Sequence, residues 1–466
     1  MTVLETAEKW LPAGPRLVRA LLADDETARA QRMAAIAFAI RIVSAAIAFL
    51  SQIIQARLMG EFEYGIFVFV WVLVVLAGSF SSLGFPTAVI RFLPQYDLDH
   101  AKAEIRGLTS TARLFAMTSA SILALSGISA LHLFGDSIEH YYLVPLFLAV
   151  FALPMIALGD VLDGTARANR WAVLGLSPTY IIRPSLILVF MLLAVYWGAP
   201  ATAVTAMQAA LAATYVTTLG QFLLVDRRLL NRYDRGARTI DFAAWIKVAL
   251  PIFLIEGFGF LLTNSDVIVV GLYLPPDQVG IYFAAAKTMA LVQFVFFAVK
   301  AGATPRFSAL MAADDRHSLA GFAGTAARWT FWPSLAVGAL VLILGQLLLG
   351  LFGSAFTAGY ILMVILFAGN MAKALVGPAE MLLTMAGRQQ LCVAVYAVAL
   401  ASNIGLNITL IPAWGLAGAA TATATAAAMT IEALLLHVAV RRALGIVVFA
   451  FADPHALTPR TEAVRP

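Results

Sequence analysis

The chain has 466 residues, 61% hydrophobic and 12% charged, against roughly 25% charged in an ordinary soluble domain. That composition excludes a soluble globular class and indicates a polytopic membrane protein. The formal charge of +5 is spread between apolar runs rather than gathered in a patch, so nucleic acid is not an expected partner.

Residues 1–33 hold five basic and five acidic residues and lack the compact charged-then-apolar layout of a cleavable signal. They read as a cytoplasmic lead-in, with an interfacial helix around 17–22. A membrane-crossing helix needs about 20 mainly apolar residues. Taking Gly, Pro and charge clusters as punctuation, the first six spans fall at 34–58, 66–92, 110–134, 143–167, 171–197 and 201–225. A basic linker follows at 226–243, the natural hinge between two six-helix bundles, 34–225 and 244–440. The later spans fall at 244–273, 280–308, 324–352, 359–386, 389–411 and 415–440, before a cytoplasmic tail at 441–466.

The connections alternate in charge. "YDLDHAKAEIRG", "ARANR", "DRRLLNRYDRGARTIDFAAWIK", "AADDRHS", "AGRQQ" and the tail hold the loop Lys and Arg. These form the cytoplasmic side, with both termini inside. "GEFEYG", "FGDSIEHYY", "WGAP", "PPDQ", "FGSAFTAG" and "PAWG" contain none. No loop is long enough for a soluble catalytic domain, and the nucleotide-binding P-loop, the G-x-S-x-G elbow and H-E-x-x-H are all missing, so an enzyme is not expected. With one cysteine, Cys392, and six histidines outside any ligand spacing, neither a metal nor a cofactor is expected.

The chain repeats itself. A shift of 215 residues pairs Arg32 with Lys247, Gly65 with Gly280, Ile66 with Ile281, Phe67 with Tyr282, Arg91 with Arg306 and Phe92 with Phe307, without a gap. Each half has an even number of spans, so the repeats are parallel and related by an axis along the membrane normal. The expected fold is therefore all-α, with about twelve transmembrane helices in two six-helix repeats around a central cleft.

The stretches "ARLMGEFEYGIF", "GFPTAVIRFLPQY", "NSDVIVVGLYLPPDQVGIYFAAAKTMALV" and "AGATPRFSAL" resemble the polysaccharide transporter family. Its members are the Wzx-type O-antigen and exopolysaccharide flippases of the multidrug/oligosaccharidyl-lipid/polysaccharide superfamily. "GNMAKALVGPAEMLLTMAGRQQ" and "NIGLNITLIPAWGLAGAATATA" are similar to the family's later spans, so the resemblance covers about 32–442. It implies translocation of a polyprenyl-diphosphate-linked oligosaccharide from the cytoplasmic to the outer leaflet of the bacterial inner membrane, for export of surface polysaccharide. Membrane lipid and a polysaccharide polymerase or glycosyltransferase are the other candidate partners.

An Arg, Lys or Asp at the centre of a span costs about 2.5 to 3.5 kcal/mol on insertion scales, so such residues usually face a protein interior or a wet cavity. Arg183, Glu256, Lys300 and Lys373 fall well inside their spans; Arg41 and Lys287 are shallower, and Asp266 is close to the outer surface. At about 100° per residue, Arg41, Ser44, Ala48, Gln52 and Gln55 share one face of span one. Glu256, Gly259, Thr263 and Asp266 do the same on span seven, and Asn370, Lys373, Gly377, Glu380 and Thr384 on span ten.

The expected substrate-binding cations are Arg41, Arg183, Lys300 and Lys373, with Lys287 second to Lys300 because its side chain can snorkel outward. A diphosphate offers oxygens that several such donors share. The bland alternative neutralises them with Asp160, Asp163, Glu256, Asp266, Glu380 and Glu432. Gln52, Gln55, Glu256, Asp266, Asn370 and Glu380 are the expected polar or coupling groups. Arg41 and Glu256, mates under the shift, are expected to pair in one transport state. Arg91 and Arg306 lie at the cytoplasmic rim, as topology anchors or as phosphate collectors at the mouth of the cleft. A cation-coupled drug antiporter of the same superfamily would prefer carboxylates and aromatics in the cavity. A polysaccharide polymerase or ligase would need a roomier outer loop.

Overall fold

The computed structural model describes residues 26–234, 236–313, 315–414 and 419–452, with all side chains in them except those of 26–39, 41, 255 and 419–425. Residues 1–25 of the lead-in with the expected interfacial helix, Gly415 of "PAWG", the tail beyond 452 and the side chains of Arg32 and Arg41 lie outside the described residues. Every element described is helical apart from short connections. In chain order these are α1 (Glu26–Ser81), α2 (Phe85–Leu98), α3 (Lys102–Phe134), α4 (His140–Val150), α5 (Leu153–Ala168), α6 (Ala172–Ser177), α7 (Arg183–Tyr196) and α8 (Ala203–Arg232). Then follow α9 (Phe242–Tyr273), α10 (Pro276–Met289), α11 (Gln293–Ala312), α12 (Arg316–Ile343), α13 (Gly345–Phe352), α14 (Tyr360–Val376), α15 (Ala379–Met385), α16 (Gln389–Trp414) and α17 (Ala419–Leu444).

Among the described residues, helix covers most of each stretch expected to span. Among the described residues nine helices are long and apolar enough to cross a membrane, or ten if α4 and α5, bent by 46°, count as one span. One of the nine runs, Ile42–Ser81, holds two helices that meet at Gly60, whose φ of 76° and ψ of 174° break the helix. Glycine takes that conformation at little cost.

Interruptions inside the expected spans follow the sequence. Leu83 and Gly84 take positive φ in "SLGFP", which divides α1 from α2. Gly377 with Pro378 divides α14 from α15, because proline lacks an N–H and disfavours helical geometry in the residue before it. At Pro178 the chain relaxes into a π-helical turn, Pro178–Ile182, between α6 and α7.

The loops sort to two ends. Residues of the connections free of Lys and Arg meet one another: Phe62 packs edge-on against Tyr141 at 5.2 Å, and Tyr64 against Phe356 at 5.9 Å. Glu63 Oε2 accepts from Ala203 N at 2.7 Å, capping the start of α8. Basic connections meet at the other end, where Lys102 pairs with Asp234 at 3.6 Å and Arg232 reaches Asn169 and Asp97.

Two connecting segments are more ordered than their sequence suggests. The linker is tied to α3: Arg106 Nε and Nη1 donate to the carbonyls of Ala237 and Asp234, each at 2.8 Å, and Thr239 N donates to Ala103 O at 3.1 Å. Gly107 permits this, since a Cβ there would stand 1.8 Å from Thr239 O. The start of the tail folds back on its bundle. Ile446, Val448 and Ala450 are buried in alternation, as in an extended strand, and Ala450 N donates to Leu375 O at 2.9 Å beside the α14–α15 break. That bond satisfies a carbonyl that the interrupted helix leaves free.

Candidate functional site

The repeated glycines touch. A Cβ on Gly65 would lie 1.7 Å from Pro276 O and 3.1 Å from Gly280 N, and one on Gly280 would lie 2.6 Å from Glu61 O and 3.3 Å from Gly65 N. Glu61 and Pro276 are themselves mates under the 215-residue shift, so the contact maps onto itself when the two stretches are exchanged. Only glycine lets two helix starts approach this closely. Around it Tyr64 packs edge-on against Phe283 and Phe356, and Phe49 against Phe352. Arg57 closes the margin, donating to the carbonyls of Leu351 at 2.8 Å and Gly350 at 3.3 Å. This seal joins residues of 34–225 to residues of 244–440 at the end that carries the loops without Lys or Arg.

At the opposite end the same two stretches meet differently. Trp245 is fully buried, and its Nε1 donates to Tyr96 Oη at 3.0 Å. Phe85 stacks on Phe242 at 5.8 Å, and Ala249 O sits over Gly84. Deeper in, Thr87 Oγ1 donates to Glu256, 2.9 Å from Oε1 and 3.1 Å from Oε2. These contacts join α2 to α9, whereas α11, which includes residues matching α2 under the shift, packs on α12 and α15.

The interior charges of 244–440 form a chain. Lys300 Nζ lies 2.6 Å from Glu380 Oε1, and Tyr396 Oη donates to Glu380 Oε2. Lys373 Nζ lies 2.8 Å from Glu432 Oε1, and Glu432 is 2% exposed. Lys373 and Glu380 are also in electrostatic reach of each other, linking the two pairs. A lone charge buried here would be unstable, and each of these has its counter-charge. Lys287 lies over the Phe283 ring at 4.9 Å, within electrostatic reach of Asp266. Asp266 accepts from Tyr282 Oη and from Val267 N.

In 34–225 the interior is acidic and held mainly by neutral donors. Asp163 accepts from Gln221 Nε2 at 2.6 Å and Thr179 Oγ1 at 2.8 Å, and Asp160 hydrogen-bonds with Ser79. Arg183 acts on both carboxylates through its charge and lies 5.9 Å from the Trp71 ring centroid.

The structure thus gathers Lys300, Glu380 and Lys373 into one network, Lys287 and Asp266 into a second, and Arg183 with Asp160 and Asp163 into a third. Gln55, Asp266 and Asn370 are buried among helices, at 4%, 7% and 3% exposure, rather than facing open space. Gln55 donates to Ser51 Oγ at 2.9 Å, Asn370 Nδ2 donates to Leu366 O, and Asn370 Oδ1 accepts from Gln293. Gln52 is half-buried and Glu256 exposed. Arg91 and Arg306 are exposed, over the rings of Phe92 at 5.9 Å and Phe322 at 4.7 Å.

Sequence reasoning missed Thr87, Thr179, Gln221, Tyr282 and Tyr396. One of them left a trace: Tyr282 is the mate of Phe67 and Asp266 the mate of Ser51, so the second copy gains a hydroxyl and a carboxylate together, and the two bond.

The model of the polysaccharide biosynthesis protein family matches residues 32–311. The chain belongs to that family. Its fold is that of the superfamily of multidrug and lipid-sugar transporters. An inward-facing multidrug resistance MATE family transporter is 15% identical with a TM-score of 0.69, covering 86% of this chain and 94% of that one. The lipid II flippase MurJ in an inward closed conformation is 15% identical with a TM-score of 0.64, covering 87% of each chain. A superfamily transporter from Pyrococcus furiosus, described as having a binding pocket of reverse polarity, is 16% identical with a TM-score of 0.61, covering 92% and 97%. No curated protein matches by sequence. The neighbouring structures are transporters and a flippase, and this chain is a multi-pass membrane protein of a polysaccharide biosynthesis family.

Proposed function

We propose that the protein is a flippase that moves a polyprenyl-diphosphate-linked oligosaccharide from the cytoplasmic to the outer leaflet of the bacterial inner membrane. Two parallel six-helix bundles, 34–225 and 244–440, rock about the Gly65–Gly280 crossing, and both termini are cytoplasmic. The seal at the end without Lys and Arg supports reading the present state as inward-facing.

The observation that carries this reading is the Lys300–Glu380–Lys373–Glu432 chain. Its cations are held by carboxylates on other helices, and a diphosphate offers the same oxygen geometry with more charge. The substrate takes the place of Glu380 on Lys300, and the cations are never left bare. Arg183 contributes from the other bundle once its carboxylates are protonated or drawn aside. Glu256 leaves Thr87 as the bundles rock and meets Arg41. Arg91 and Arg306 gather phosphate at the rim. Carrying about two negative charges outward across 100 mV, inside negative, releases on the order of 4 to 5 kcal/mol, enough to drive export where no counter-charge is coupled.

The neighbouring interior carboxylates, half-buried Asp160 and buried Asp163, favour a second reading, a cation-coupled antiporter, since such a pair suits a bound cation or proton. Proteoliposomes separate the two. A fluorescent polyprenyl-diphosphate oligosaccharide should cross to the far leaflet faster with potential imposed, with the pH gradient clamped. Movement of cationic dyes with no movement of the lipid would overturn the flippase and leave the antiporter.

A further inference from the structure

A groove of about 600 Å³ opens between α6–α7 and α8, away from the contact between the two bundles. All its lining residues fall within 170–228, so one bundle builds it alone. The π-helical turn at Pro178–Ile182 forms one wall, and Gly220 stands in the other with nothing within 4 Å of where its Cβ would be. Val173, Ile182, Val216 and Leu224, all apolar, are exposed along it.

One end differs from the rest. Arg170 and Arg228 line it together with Trp171, and the Arg228 guanidinium lies 5.4 Å from the Trp171 ring centroid. The lining contains no carboxylate, and its buried amide, Gln221, already donates to Asp163 and to Leu174 O. Arginine beside tryptophan marks the headgroup level of a bilayer. Arg228 and Val216 are a little over three helical turns apart, about 18 Å. One leaflet's hydrocarbon is about half of 30 Å. The groove therefore spans a single leaflet, cationic at the surface and apolar below.

The geometry points to a resident glycerophospholipid with an anionic headgroup, its phosphate on Arg170 and Arg228 and one acyl chain along Gly220. The transported lipid fits less well, because its site must change between bundles as they rock, whereas this groove moves with one bundle. The role of the bound lipid is to fill the space beside the broken span, next to the Thr179–Asp163–Gln221 bonds.

The test is native mass spectrometry of the full chain, released from detergent after equilibration with equimolar phosphatidylglycerol and phosphatidylcholine. The wild-type chain should retain one phosphatidylglycerol. The Arg170→Ala, Arg228→Ala double variant should retain it roughly thirtyfold less, about fivefold per arginine. Gly220→Leu, which enters open space without backbone strain, should lose the lipid with both arginines intact. Equal retention of the two lipids, or unchanged retention in both variants, would overturn the proposal. So would displacement of the phosphatidylglycerol by stoichiometric polyprenyl diphosphate, which would give the groove to the transported lipid. The readout needs no transport, so it stands or falls separately from the flippase reading.

Discussion

The stretches 32–92 and 247–307 are alike where they touch and unlike in the charges they carry within their spans. Gly65 and Gly280 approach each other through backbone, each stretch supplying the same atoms to the other. Away from that crossing the copies diverge. Val72 and Phe85 in the first stand where Lys287 and Lys300 stand in the second, Ser51 where Asp266 does, and Arg41 where Glu256 does. A duplicated backbone contact constrains both copies at once, because a side chain on either one collides with the main chain of the other. A charge is constrained only by its own neighbours. Lys300 needs Glu380, which lies outside the repeated stretch, so the first copy can hold a phenylalanine at the equivalent position and pack it on Phe115 and Phe242.

The largest expected effect breaks the likeness. Gly65→Val and Gly280→Val should each force the seal apart, abolish flipping and lower Tm, since even ordinary overpacking costs about 1 to 3 kcal/mol and here the clash is with main chain. In a Cys392→Ser background, spin labels at Phe62 and Tyr273, both exposed beside the seal, should report a longer separation in each variant. An unchanged distance in either would show that the crossing does not hold the halves together.

A smaller effect tests the charged difference. Lys300→Ala leaves the Glu380 carboxylate with the Tyr396 hydroxyl and the more distant charge of Lys373, and breaking a buried pair costs about 3 to 5 kcal/mol. With the Lys300 side chain 26% exposed, a loss nearer 2 kcal/mol is expected, read as a fall in Tm. Lys300→Met combined with Glu380→Gln should restore Tm without restoring flipping. A double variant that flips at the wild-type rate would make the pair purely structural.

The smallest effect comes from the mated pair of opposite charge, Arg41 and Glu256. Glu256→Gln keeps an acceptor for Thr87, so the stability change should stay within about 0.5 kcal/mol, while flipping slows because Arg41 loses its partner in the other state. Initial rates under separate proton and sodium gradients, all unchanged, would remove the Arg41–Glu256 exchange.

Much of the architecture was written locally. Apolar run length set where helices form, and loop charge sorted the connections: Phe62 meets Tyr141 and Glu63 caps α8 at one end, while Arg232 meets Asp97 at the other. The break at Gly60 falls in "GEFEYG", the connection expected between the first two spans, whereas those at Gly84 and Gly377–Pro378 were legible as glycine and proline but not as interruptions, because hydropathy reads through them. The tail was the least legible. "GIVVFAFA" follows a pair of arginines and reads as a departure into solvent, yet its alternate residues pack beside α14, where the Leu375 carbonyl accepts from Ala450 N.

The sequence by itself determined the class of protein, the sorting of its loops to two ends, the 215-residue repeat and the need for interior charges to find partners. Each of these depends on neighbours along the chain or on the cost of burying a charge, and neither requires knowing which helices meet. Only the tertiary structure decided that the repeated glycines are the crossing point, that Lys300 takes Glu380 and Lys373 takes Glu432, and that Asp163 rests on Thr179 and Gln221. Those partners are 16 to 80 residues apart, and in a bundle of apolar helices of similar length the pairing is fixed by which faces pack, information that no single helix carries.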